Sequence, residues 1–313
     1  MGECTGLLSE LGKDGEIIAG GTDLLVRMKY RLSKPRHLVS LSKINELKRI
    51  EYNPGKGLSI GAGITLSRLA SDRTIQEKCP ALSSAAELVA TKQVRNAATI
   101  GGNILQNTRC RYYNRSHTWG KAVVPCFKRN GTVCHVAPKG KRCFAVYQGD
   151  LAPLLIALKT TVRVVFPTGT EEIPVESLFS GNGRDPFHCL QGKVIQDIVI
   201  PDPALSIYCD YKKYRLRKGI DYPLAGVAIA VEKNKDGMGN LRICLTGISS
   251  SPISVPDVEK MVFGKPLYKE LFRDIGRRAQ AAAHPLANLE DDPEKRRFII
   301  RIMTEDILTS FIT

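Results

Sequence analysis

Two glycine-bearing stretches, with a set of cysteines behind the second, limit what this 313-residue chain can fold into. The first stretch is Ile17-Ile18-Ala19-Gly20-Gly21-Thr22-Asp23-Leu24, and the second is Thr99-Ile100-Gly101-Gly102-Asn103-Ile104. Gly20-Gly21 lies between a strand pattern and a helix pattern. Amides at such a place point along a helix N-terminus, where an anion is favoured. The missing side chain lets a pyrophosphate approach the backbone. Thr22, Thr99 and Asn103 add hydroxyl and amide groups. Either glycine pair alone reads equally as a tight turn, but the two together point to a phosphate-bearing cofactor. Gly61-Ala62-Gly63 also lies between a strand and a helix. It lacks the third glycine of a dinucleotide fingerprint, because Leu66 stands there, and reads as a structural turn.

Cys110, Cys126, Cys134 and Cys143 follow at separations of 16, 8 and 9 residues. From Gln106 to about Gly149 the chain shows no sustained periodicity. So long an irregular stretch inside a compact domain needs an organiser, and clustered thiols suggest a metal. The chain has nine cysteines, an odd count that suits a disulfide framework poorly. Structural zinc prefers cysteine pairs two to four residues apart, and ferredoxin-type clusters use tighter runs than this one. Spacing alone therefore leaves an iron–sulfur cluster, a zinc site and unliganded thiols all open. Tyr112, Tyr113, Trp119, Phe127 and Phe144 would either shield such a centre or form the segment's own small core. His117 and His135 read as hydrogen-bonded structural residues. Cys4, Cys79, Cys189, Cys209 and Cys244 read as core or surface thiols.

Hydrophobic residues make up 43% and charged residues 25%, as in ordinary globular proteins. The most apolar run, Leu151 to Leu158, is too short to cross a bilayer and is interrupted by Pro153. Met1 to Gly12 carries no basic-then-apolar leader, so a cytoplasmic protein without a membrane span is expected. The formal net charge of +15 calls for an acidic partner. The Lys and Arg are dispersed, there is one Trp, and no helix-turn-helix or RNA-binding signature is present. An acidic protein is therefore expected, and nucleic acid is not.

Hydrophobic patterning predicts strands over Glu16 to Ala19, His37 to Leu41, Leu58 to Gly61, Thr161 to Phe166 and Val194 to Ile200. Helices are predicted over Thr65 to Ala70, Ala81 to Ala90, Ala152 to Leu158, Pro266 to Ala283 and Pro293 to Phe311. The helix near Leu24 should be capped by Thr22 and Asp23. In the last helix Phe298, Ile299, Ile302, Met303 and Leu308 should form the inward face. Ala225 to Val231 and Leu241 to Ile248 should be antiparallel strands joined by a turn from Lys233 to Asn240. The class is therefore α/β in the first part and α+β in the C-terminal third.

Ile17 to Leu24, and Gln93 through Asn103, resemble the two FAD-binding motifs of the flavoprotein subunit of molybdenum hydroxylases, the xanthine dehydrogenase superfamily. The resemblance continues through Gly149-Asp150-Leu151-Ala152-Pro153 and Lys213 to Pro223, and so covers nearly the whole chain. The sixteen residues before Ile17 match the family's opening strand and helix poorly. It implies a two-subdomain FAD-binding fold with a C-terminal α+β domain: residues 1–55, then 56–200 with an insertion at 107–148, then 201–313. It also implies that Ile18, Ala19, Gly20, Gly21, Thr22, Asp23 and Leu24 cradle the FAD pyrophosphate. Thr99, Gly101, Gly102 and Asn103 would form the other wall, Asp150 would lie near the flavin ring with Lys213 at its edge, and Ile195 would pack nearby. Most members run almost directly from the second motif to the Asp150 segment. The inserted loop is similar to that of one branch, the 4-hydroxybenzoyl-CoA reductases. That likeness implies a [4Fe–4S] cluster on Cys110, Cys126, Cys134 and Cys143. The implied partners are a large molybdopterin subunit, a small [2Fe–2S] subunit and an acidic donor such as ferredoxin, in a dimer of heterotrimers. No catalytic residue is expected on this chain.

Overall fold

The computed structural model describes residues 1–188, 190, 192–234, 237–262 and 268–312. A short helix, Gly2–Leu11, precedes strand β1 (Gly15–Ile18), which pairs in parallel with β2 (His37–Ser40). The helix buries Cys4 and Leu8 with Val39, Leu41, Leu47 and Val194, closing a small core around the first glycine stretch.

A second sheet runs β3-β4-β7-β5-β6. Its strands are β3 (Ile50–Asn53), β4 (Gly57–Gly61), β5 (Thr161–Phe166), β6 (Gly169–Pro174) and β7 (Val194–Pro201), all antiparallel to their neighbours. The border expected at residue 55 falls inside the β3–β4 hairpin. Short helices pack on this sheet. Among them, Leu66–Ser71 starts at Thr65, whose hydroxyl accepts the amide of Arg68 at 3.3 Å. Helix Leu151–Ala157 is buried along its whole length, which is why its sequence is apolar on every side. β3 and β6 escape sequence patterning because their faces are half-exposed or polar.

The C-terminal sheet runs β11-β10-β9-β8, with β8 (Tyr208–Tyr214), β9 (Ala225–Asn234), β10 (Gly237–Thr246) and β11 (Ile253–Ser254). β9 alternates between two cores. Ala225, Val227, Ile229 and Val231 face the C-terminal helices, while Ala228 and Ala230 join the core of the N-terminal two-thirds of the chain. The joining turn is tighter than expected: Asn234 pairs with Gly237, and residues 235–236 lie outside the described residues. Helix Lys269–Ala282 starts later than predicted, and the predicted start at Pro266 lies outside the described residues. In helix Pro293–Ile312 the expected inward face is rotated. Ile300, Met303, Ile307 and Leu308 are buried, whereas Phe298 is 50% and Ile302 46% exposed. Arg296 sets that rotation. It is fully buried, and its guanidinium binds the carbonyls of Leu224, Leu286 and Gly247. Among the described residues no helix is long and apolar enough to cross a membrane.

Candidate cofactor sites

β1 delivers the first glycine loop, and the helix Leu24–Lys29 leads away from it. Gly21 has φ +71°, in the left-handed region that favours glycine. Gly20 packs so tightly that a Cβ there would stand 1.9 Å from the Ala97 carbonyl oxygen. The first loop is thereby backed directly onto the residues leading into the second. The amides of Gly20, Gly21, Thr22 and Asp23 donate to no group among the described residues. Such a row of free N–H groups is what an anion requires. Asp23 does not cap the helix with its side chain, contrary to expectation. Its carboxylate accepts the Asn107 amide at 3.2 Å and lies 3.4 Å from Arg27 and 3.8 Å from Arg109.

The second loop is built differently. Thr99 caps the helix Ile100–Ile104, its Oγ1 accepting the Gly102 amide at 3.1 Å. The Gly101 amide binds the Ala62 carbonyl at 3.0 Å and that of Asn103 binds Thr99 at 2.8 Å. These amides are thus occupied, and the expectation of bare donors on both loops holds for the first loop alone. The second loop contributes room: a Cβ on Gly102 would meet only Thr99 Oγ1, at 3.0 Å. Gly61 and Gly63 pack against Leu47, as a structural turn does.

Both loops line one open cleft of about 370 Å³. Of the expected residues, Ala19, Gly20, Gly21, Thr22, Asp23, Leu24, Thr99, Gly101, Gly102 and Ile195 line it. Ile18, Asn103, Asp150 and Lys213 do not. Asn103 is turned inward, its Oδ1 accepting the Leu151 amide at 3.2 Å. Sequence reading missed Arg27, Ala62 and Gln106 in the cleft wall. Gln106 is buried there with an Nε2 that has no hydrogen-bond partner, a donor waiting for a ligand. Free amides, an orphaned donor and an unfilled glycine face make the cleft fit a dinucleotide such as FAD.

Asp150 and Lys213 form a buried ion pair at 2.9 Å, with 3% and 2% side-chain exposure. The Tyr211 hydroxyl donates to the same carboxylate oxygen at 3.1 Å. Burial pushes the Asp150 carboxyl up and the Lys213 ammonium down, and their mutual attraction opposes both shifts. The pair ties the N-terminus of helix Leu151–Ala157 to β8, and the Leu151 amide of that helix in turn holds Asn103 of the second loop. A second open cavity, of about 650 Å³, lies beyond Arg109 and is lined by Gln148, Asp221 and Tyr222 among others. The Arg109 guanidinium lies 4.2 Å over the Tyr222 ring while reaching towards Asp23 in the cleft wall.

The irregular stretch closes on itself. Cys110, Cys126, Cys134 and Cys143 all line one small cavity, with Tyr112, Tyr113, Phe127, His135 and Phe144 around them. Trp119 stays outside, partly exposed. Cys126 and Val133 bridge at the base of a tight loop, and the Gly183 amide pins the Cys143 carbonyl at 3.0 Å. The Ala145 amide donates to Cys143 Sγ at 3.4 Å. His135 Nε2 bonds the Val124 carbonyl at 2.8 Å, a structural role as expected. Burial pushes the Cys110 thiol up to about 11 and raises that of Cys143, so a metal entering here must displace protons. Among the described residues no three His, Cys, Asp or Glu stand close enough to hold a single ion. Zinc holds its sulfur ligands at about 2.3 Å and gathers them tightly. The four thiols line one small aromatic-lined cavity and one sulfur accepts an N–H, and thiolates with hydrogen bonds to sulfur are the donor types an iron–sulfur centre uses.

Comparison with known proteins gives consistent results. The family model of the FAD binding domain in molybdopterin dehydrogenase matches residues 1–203, and that of the CO dehydrogenase flavoprotein C-terminal domain matches residues 210–311. The aldehyde oxidoreductase FAD-binding subunit of Escherichia coli is 30% identical, over 87% of this chain and 85% of that protein. The carbon monoxide dehydrogenase medium chain of Hydrogenophaga pseudoflava is 27% identical, over 94% and 88%. A solved carbon monoxide dehydrogenase from that organism, lacking the Mo-pyranopterin moiety of its cofactor, matches at 26% identity with a TM-score of 0.79. The match covers 98% of this chain and 93% of the other.

Proposed function

The chain belongs to the family of FAD-binding medium subunits of the molybdenum hydroxylases, and on that premise we propose that it is an electron-transfer subunit with two redox centres. FAD would occupy the cleft, and a [4Fe–4S] cluster the cavity of residues 107–148. Substrate bonds would change at a molybdopterin in a large partner subunit, reached through [2Fe–2S] clusters in a small one. When bound, the flavin supplies exchange of one or two electrons. The chain's own residues hold and enclose it. The amides of Gly20 to Asp23 would take the diphosphate, Gln106 would add a donor, and Gly102 would leave space for close approach. Ile195 would give an apolar wall, and the Asp150–Lys213 brace would fix the second loop next to the ring.

The convergence of four separated cysteines on one cavity carries this reading. A visible spectrum and iron assay of the purified protein test it. Flavin bands with broad iron–sulfur absorption support two centres, and flavin without iron removes the cluster. In Cys126→Ser, iron should be lost while stoichiometric flavin remains.

The cysteine positions also support a finer reading, that the complete enzyme reduces 4-hydroxybenzoyl-CoA to benzoyl-CoA with electrons from an acidic ferredoxin. Cytoplasmic location and a dimer of heterotrimers accompany it. The names of the matched relatives favour a second reading, in which the complete enzyme oxidises an aldehyde, carbon monoxide or a purine. The purified complex separates the two. Turnover of the thioester with a reduced donor supports the first, and turnover of aldehydes or xanthine with an oxidant supports the second.

A further inference from the structure

Lys128 lies two residues after Cys126 and lines the cysteine cavity. Its ammonium donates to Asn107 Oδ1 at 2.7 Å, to Thr108 Oγ1 at 2.5 Å and to the Gly183 carbonyl. All three acceptors are neutral. Each is held in turn: Thr108 is buried and donates to the same Gly183 carbonyl at 2.5 Å, and the Asn107 amide donates to Asp23 in the flavin cleft. The Tyr113 ring covers the ammonium at 5.1 Å. Among the described residues no carboxylate pairs with Lys128 within 4.0 Å. Burial pushes the Lys128 ammonium down to about 8, against the pull of Cys143, Asp185 and Cys110 and with Arg27 adding to the fall. Asp185 lies 3.8 Å from Arg184.

Lys128 is half-buried, and a cation withdrawn from water with only neutral hydrogen-bond partners gains from a negative charge beside it. Four thiolates around an iron–sulfur core bring one, and the potential of such a core follows the net charge around it. We propose that Lys128 is the resident counter-charge of the four-cysteine centre, raising the reduction potential of the iron–sulfur cluster bound there. The same side chain ties the cysteine loop, through Asn107, to Asp23 of the flavin cleft. This inference rests on the two-centre reading above.

Redox titration of the holoprotein, followed by electron paramagnetic resonance for the cluster and visible absorption for the flavin, tests it. Lys128→Gln keeps a hydrogen-bonding head and removes the charge, and Lys128→Arg keeps the charge. The cluster potential should fall in Lys128→Gln and return towards the parent value in Lys128→Arg, with the flavin potential unchanged in both. An unshifted cluster potential in Lys128→Gln overturns the inference. So does loss of iron from both variants, which would make Lys128 a strut of the fold. Absence of iron from the parent protein would instead remove the two-centre reading itself, and the parent's iron assay tells the cases apart.

Discussion

A methyl group on Gly20 would stand 1.9 Å from the Ala97 carbonyl oxygen, whereas one on Gly102 would meet nothing nearer than Thr99 Oγ1 at 3.0 Å. Two residues alike in the sequence thus divide the work: Gly20 lets two loops touch, and Gly102 leaves a ligand space. Gly102→Val should therefore fold and lose FAD, read as a flavin-to-protein ratio near zero with little change in thermal midpoint of the apoprotein. Gly20→Ala should cost stability directly, about 2 kcal/mol or more by overpacking, measured by urea unfolding. The buried pair behaves differently again. Asp150→Asn leaves the Lys213 ammonium buried without its counter-charge and should destabilise by about 3–5 kcal/mol. Replacing both residues by apolar ones of similar size should cost less than that single change, a comparison that chemical denaturation settles. The residue types were legible from the chain. That Asp150 and Lys213 meet each other was not, since 63 positions separate them and only the packing of helix Leu151–Ala157 against β8 joins them.

At the scale of elements, the strands that patterning found are those with one strongly apolar face, such as β5 and β7. β8 was invisible because Tyr208-Cys209-Asp210-Tyr211-Lys212-Lys213-Tyr214 mixes polar and aromatic groups along its length. Its Lys213 is spent on an internal ion pair, which no local pattern announces. The C-terminal helix shows the same limit. Its apolar residues suit more than one inward stripe, and a buried arginine selects the one that occurs. Arg296→Met should orphan three carbonyls, two of them in buried bonds, and cost about 3 kcal/mol or more, whereas Phe298→Ser on the exposed face should cost under about 0.5 kcal/mol. Paired thermal-unfolding midpoints of these variants give the check.

Over the whole molecule, charge is uneven. Residues 107–148 contain nine Lys and Arg and no Asp or Glu, against a net charge of +15 for the chain. If an acidic protein delivers electrons at this loop, attraction between the surfaces sets the encounter rate. Stopped-flow reduction by such a donor should slow roughly tenfold between low and physiological ionic strength, the screening length falling to about 8 Å. A rate indifferent to salt would count against docking here. The chain alone determined the chemistry on offer, because a Gly-Gly turn after an apolar strand, a β-branched strand run and a count of thiols are properties of neighbours along the backbone. Tertiary structure decided which of those groups remain available. Whether an amide is free, a carboxylate is paired or four sulfurs meet depends on partners far away in the chain, and burial obliges nearly every polar group to find one.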